Sequence, residues 1–125
     1  MDNLTIKSLW NIDEARLKTI DFFLNKAEVE FQNWSLENLY WTLRSIKRMI
    51  YAKLKKEERA EIDAKLAKLE EFRRKNNIIK NSTENTKGKF YRMCEDFYES
   101  LTILMKEHGI FFREGDDPRF AVLKR

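Results

Sequence analysis

Apolar residues recur along this chain at intervals of three and four, the spacing that lines one face of an α-helix. Leu17, Ile20, Leu24, Ala27, Phe31 and Trp34 step by 3, 4, 3, 4 and 3 and form the seam of a first helix. Its start is signalled near Asn11, an N-cap residue with Glu14 three positions on to reach back to the cap amide. Residues 1–10, with Leu4, Ile6, Leu9 and Trp10 apolar, read as a lead-in segment or short extra helix. A second helix begins at Ser35 as N-cap, with Trp34 and Leu39 placed for a hydrophobic staple. Its inward face is Leu36, Leu39, Leu43, Ile46, Ile50 and Leu54, with Tyr40 at the edge, so it runs at least to Leu54.

Residues 55–61 then pass almost without apolar side chains, and the pattern resumes at Ile62, Leu66, Leu69 and Phe72. Either the chain turns near 55–58 into a helical hairpin, or one helix of about 40 residues projects on the order of 60 Å. A compact core needs the chain to return, which favours the hairpin. Residues 76–88 are rich in Asn, Ser and Thr and form a polar loop. The last long helix starts between Asn81 and Gly88 and carries the seam Phe90, Cys94, Phe97, Leu101, Leu104 and His108. Gly109 follows as a natural C′ residue, with Ile110 able to pack back on the final turn. The tail, 110–125, contains the turn Gly115-Asp116-Asp117-Pro118 and closes as a hairpin or, preferably, a helical turn with Asp117 as cap and Pro118 at N1. The predicted fold is all-α: a single domain over 1–125, an antiparallel bundle of about four main helices with a short C-terminal closing element.

Composition narrows the class further. The chain has 125 residues, 42% hydrophobic and 37% charged, against roughly 25% charged in an average soluble domain. Its three glycines and one proline all lie at Gly88 or later, too few and too late for most all-β architectures. One cysteine excludes a disulfide framework within the chain, and one histidine excludes any site needing two imidazoles. No run approaches 18 apolar residues, and Asp2, Asp13 and Glu14 stand where a signal peptide carries basic residues. A soluble, cytoplasmic protein without membrane association is expected. The abundance of Lys, Asn and Ile points to an AT-rich coding source such as a virus or mobile element, and carries no mechanism.

Candidate catalytic chemistry is sparse. His108 is the one side chain that titrates near neutrality, and its seam position at a helix C-terminus suits it to cap carbonyls and meet the negative end of the dipole. A helical ribonuclease of the Arg-x4-6-His type needs an arginine at 101–103, where Leu, Thr and Ile stand. A bundle di-iron site needs paired Glu-x-x-His motifs. Glu114, Asp116 and Asp117 lack the spacing of a calcium loop. Cys94, between Phe90 and Phe97, reads as a small core hydrophobe. The expectation is a non-enzyme with no metal and no cofactor.

Charge segregation is the informative feature. The net charge of +4 conceals blocks of +5 over residues 42–59 and +6 over 73–92, set between acidic stretches that include −2 over 60–72. On the second helix Trp41, Arg44, Arg48, Tyr51 and Lys55 follow 3, 4, 3, 4 spacing on a stripe away from the core, flanked by Lys47. Indole and phenol rings interleaved with guanidinium groups stack on bases and pair with phosphates. Arg73, Arg74, Lys75, Lys80, Lys87, Lys89 and Arg92, read as basic residues in and around the loop, extend the stripe. The leading expectation is a non-catalytic accessory protein that binds nucleic acid through backbone contacts, since no base-reading motif is present. On that expectation, removing Arg44 and Arg48 together abolishes binding. The alternative is a small helical adaptor, inhibitor or immunity-type protein that contacts another protein, or a second copy of itself as a homodimer, through the Trp41 face.

Overall fold

The computed structural model describes residues 14–76 and 83–110. They form four helices: α1 (Glu14–Gln32), α2 (Leu36–Tyr51), α3 (Lys56–Asn76) and α4 (Glu84–Glu107). Each helix runs antiparallel to its neighbours in the chain, as the cross-helix bonds show. Lys26 of α1 meets Thr42 of α2, and Tyr40 and Tyr51 of α2 meet Glu70 and Asp63 of α3. Lys65 of α3 meets Ser100 of α4, and Tyr98 of α4 returns to Glu28 of α1. The result is an up-down-up-down four-helix bundle in which α2 packs on α1, α3 and α4. Among the described residues no helix is long and apolar enough to cross a membrane. The lead-in segment, the Asn11 start signal, Lys80 and the tail with its acidic turn lie outside the described residues.

The core is built from the seams. Leu17, Ile20, Leu24, Ala27 and Phe31 of α1, the Leu and Ile positions of α2, Ile62, Leu66 and Leu69 of α3, and Phe90 through Leu104 of α4 are all buried. Tyr40, expected at the edge, is buried because α3 crosses its side of α2 and offers Glu70 to the phenol. Cys94 is fully buried between Phe90 and Phe97, and desolvation pushes its thiol well above the usual cysteine range, so it is an inert part of the core. One carboxylate is drawn inside: Glu30 pairs with Lys26, which also donates to Thr42. The second oxygen of Glu30, Oε1, is buried without a hydrogen-bond partner among the described residues.

The helix ends depart from the sequence expectation in three places, each for a backbone reason. The α1 seam stops at Phe31, since Trp34 has left the helix in a left-handed conformation with φ 54°. Trp34 N donates to Phe31 O at 3.2 Å and Ser35 N to Glu30 O at 3.0 Å, which is a Schellman closure with Trp34 at C′. The same closure ends α4, where Gly109 N bonds to Lys106 O, Ile110 N to Met105 O, and Gly109 takes φ 84°. There a glycine occupies the left-handed position and Ile110 packs back buried, as the sequence predicts. At Trp34 a bulky L-residue holds a conformation that costs such a residue about 1–2 kcal/mol. It follows that Ser35 makes no side-chain cap bond and that the Trp34 ring lies on Tyr91 of α4 in place of a staple with Leu39.

The hairpin between α2 and α3 is the observed alternative, but it turns at 52–55, earlier than the apolar pattern suggests. Leu54 keeps its buried place under the turn although the helix has ended at Tyr51. Arg59 supplies the missing donors, with Nε to Tyr51 O at 3.1 Å and Nη2 to Ala52 O at 3.1 Å. Glu58 reaches back to the Lys55 amide at 2.8 Å, half of a capping box. It also faces His108 Nε2 at 3.1 Å, so the imidazole is tied to a carboxylate on α3, where a carbonyl-capping role was expected. Between α3 and α4 the polar loop is shorter than 76–88: α4 starts at Glu84, with Thr83 Oγ1 accepting from Thr86 N at 3.1 Å. Arg73, Arg74 and Lys75 therefore stand on the last turn of α3, and Lys87, Lys89 and Arg92 on α4.

Candidate nucleic-acid interface

The first basic stripe meets α3, and α3 answers it with carboxylates. Arg44 Nη1 donates to Glu70 at 3.0 Å and to the Tyr40 hydroxyl at 3.3 Å. Lys47 pairs with Asp63 at 2.9 Å and lies over the Tyr51 ring, whose hydroxyl donates to the same carboxylate at 2.6 Å. Arg73 binds Glu37 through two guanidinium nitrogens, one at 2.8 Å from Oε1, the other on Oε2. Trp41 remains 48% exposed, as its wheel position predicts, yet it is fixed: its indole N–H donates to Glu37 at 2.8 Å, and the guanidiniums of Arg44 and Arg73 sit 5.2 and 5.4 Å from its ring centre. Arg48 and Lys55 are exposed, Lys55 in the turn beyond the helix, and neither side chain has an ion-pair partner among the described residues.

These pairings set carboxylate titration. The Arg73 guanidinium holds Glu37 below the usual glutamate range, and the Tyr51 hydroxyl and then Lys47 do the same for Asp63. At Glu58 burial pushes upward, but the Lys55 amide and His108 together outweigh it and leave the group lowered. A carboxylate that titrates lower when folded contributes stability above its unfolded pKa and loses it as pH falls through the folded value. With ordinary values of 4.5 for Glu and 3.8 for Asp, thermal melts followed by circular dichroism are expected to stay level from pH 7 to about 5 and to fall below that. Glu37→Gln should lower stability at pH 7 by up to about 1 kcal/mol, the scale of a partly exposed pair, and narrow the gap between pH 7 and pH 3. An unchanged gap would remove Glu37 from the acid response.

The part of the second basic segment that lies on α4 has no such partners among the described residues. Lys87, Lys89 and Arg92 are exposed on the first half of α4, and among the described residues none forms an ion pair. An open groove of about 430 Å³ runs between α3 and α4, lined by Lys65, Lys68, Phe72, Lys89, Arg92, Met93 and Asp96. Four cations thus border it against one carboxylate, and that carboxylate is held by Lys65 at 3.2 Å. Phe72, half-buried, stacks on Phe90 at 6.2 Å and gives the groove an apolar floor. Gly88 is half-buried on α4, and a Cβ at this point would meet Arg92 Nη1 at 3.8 Å. Arg74 and Lys75 flank this end of the bundle on α3, Lys75 with Glu71 at 3.4 Å.

Lys65 and Lys68 are the groove lysines that sequence reasoning missed. The two lysines lie in a stretch with net charge −2, which hides them. A wheel of α3 separates them: Asp63 and Glu70, seven apart, share the side toward α2, whereas Lys65, Lys68 and Phe72 share the side toward α4. Among the described residues no group of three or more His, Cys, Asp or Glu could hold a metal ion. No protein-family model, curated protein or solved structure matches the chain.

Proposed function

We propose that this protein is a non-catalytic accessory protein that binds the phosphate backbone of nucleic acid through the first half of α4 and the facing flank of α3. The observation that carries this reading is the cluster of unpaired cations beside the α3–α4 groove, set against the α2–α3 face, where of the first stripe only Arg48 and Lys55 lack carboxylate partners among the described residues. Arg44, Lys47 and Arg73 are neutralised by Glu70, Asp63 and Glu37, whereas Lys68, Lys87, Lys89 and Arg92 are exposed and unpaired among the described residues. An unpaired surface cation keeps its counterions until a phosphate replaces them, and their release drives binding. The surface is a groove and a helix ridge, and because the sequence carries no base-reading motif, backbone contact is the mode that fits.

The Trp41 face supports a second reading. A half-exposed indole fixed by Glu37 and flanked by neutralised guanidiniums has the composition of a protein-interface hot spot, for another protein or a second copy of this chain.

The test is titration of labelled single- and double-stranded oligonucleotides at about 50 and 200 mM salt, with light scattering to report mass. Four phosphate contacts predict binding about 50- to 150-fold weaker at the higher salt. Absence of binding at 50 mM overturns the nucleic-acid reading, and a salt-insensitive dimer would favour the Trp41 face.

A further inference from the structure

Trp34 occupies the wrong kind of position for a tryptophan. It stands at the C′ site of a Schellman closure, with φ 54°, where the equivalent closure of α4 uses Gly109. The residue is 52% exposed, so core burial does not offset the backbone conformation. A strained conformation that persists at a solvent-facing aromatic points to a use for the side chain. The ring lies parallel on Tyr91, with centroids 4.2 Å apart and planes 21° apart, so the phenol covers one π-face, and among the described residues no second ring or cation stacks on Trp34. Tyr91 is on α4 among the unpaired cations: Lys87 precedes it by one turn on the same side, and Arg92 follows it.

We infer that Trp34 is a base-stacking residue, and that the nucleic acid bound is single-stranded. This rests on the backbone reading above and adds to it the form of the ligand. A parallel aromatic pair with no second group stacked on Trp34, beside cations that lack carboxylate partners among the described residues, matches a nucleobase joined to a phosphate. Bases in a duplex are stacked on each other and do not present their faces, so a strand must be single or opened to use this ring. A strand with a base on Trp34 would run from Lys87 past Gly88 toward Arg92 and the Lys89 side of the α3–α4 groove.

The test uses the full chain and three variants, Trp34→Gly, Trp34→Asn and Trp34→Phe, against three labelled probes of equal length at about 50 mM salt: oligothymidylate, an abasic strand and a duplex. Glycine and asparagine suit the left-handed backbone, so both variants are expected to melt no lower than the parent while binding oligothymidylate about 10- to 100-fold more weakly. Phenylalanine keeps a ring face and is expected to retain binding within a few-fold. The abasic strand should bind parent and variants alike, since only phosphates remain, and the duplex should bind the parent more weakly than oligothymidylate. Equal affinity of Trp34→Gly and parent for oligothymidylate overturns the proposal, as does a melting temperature that falls together with binding in both Gly and Asn variants. Preference for the duplex overturns the single-strand inference but leaves backbone binding standing. Failure of the parent to bind any of the three overturns the backbone reading itself.

Discussion

Replacing Leu43 with alanine is expected to lower stability by about 2–5 kcal/mol, the range for a buried leucine truncated in a well-packed core. Leu43 has no exposed surface and sits in α2, which packs against α1, α3 and α4, so the space left behind has walls on several helices and collapses poorly. A domain of this size has a total stability of about 5–15 kcal/mol, so the change is a large fraction of it. The thermal midpoint should drop on the order of 10–20 °C. Denaturant unfolding checks this directly, with a lower midpoint and an unchanged slope. Ile103→Ala is the control: Ile103 is 44% exposed on the outer face of α4, and its truncation should stay within about 0.5 kcal/mol. If the two variants were equally stable, the packing assigned to α2 would be wrong.

The positions that make Leu43 important were readable because burial in a helix imprints a three-and-four period on the sequence. Phe90, Cys94, Phe97, Leu101 and Leu104 are inside for the reason their spacing gives, and Gly109 closes α4 because the left-handed position favours a residue without a Cβ. The same period misleads at helix ends, where an apolar residue can stay in phase after the backbone has stopped being helical. Leu54 is in phase and buried but sits in a turn; Trp34 is in phase and exposed. Periodicity reports side-chain direction, whereas termination is decided by which amides and carbonyls find partners, and for α1 those are the bonds to Phe31 O and Glu30 O. His108 shows a third failure, since its partner Glu58 lies fifty residues away on another helix.

The candidate interface was legible only by half. A helical wheel locates Arg44 and Lys47 on α2 but does not say that Glu70 and Asp63 lie opposite them. Summing charge along the chain merges the acidic and basic flanks of α3 into one modest number and so conceals both the neutralisation of Arg44 and Lys47 and the lysines that line the groove. Surface charge follows from which helix faces adjoin, and adjacency is a property of the bundle.

That difference yields the strongest functional contrast. Replacing Lys68, Lys89 and Arg92 together with alanine is expected to weaken binding to an oligonucleotide at 50 mM salt on the order of 10²- to 10³-fold, because each lost phosphate contact forfeits its counterion release. The slope of log affinity against log salt should shrink by about 2–3 for three contacts, at roughly 0.7 each on a single strand and 0.9 on a duplex. Helicity should be unchanged, since these side chains are exposed or line an open groove and make no ion pair among the described residues. Arg44→Ala with Arg48→Ala is the counterpart. Arg44 is already bound to Glu70, and Arg48, without an ion-pair partner among the described residues, does not line the groove, so this pair should leave affinity within about tenfold and the slope within about 1. Its cost should appear in stability, at up to about 1 kcal/mol for the lost partly exposed pair. The reverse ranking of the two variants would return the interface to the Trp41 stripe and require the Arg44–Glu70 pair to open when nucleic acid binds.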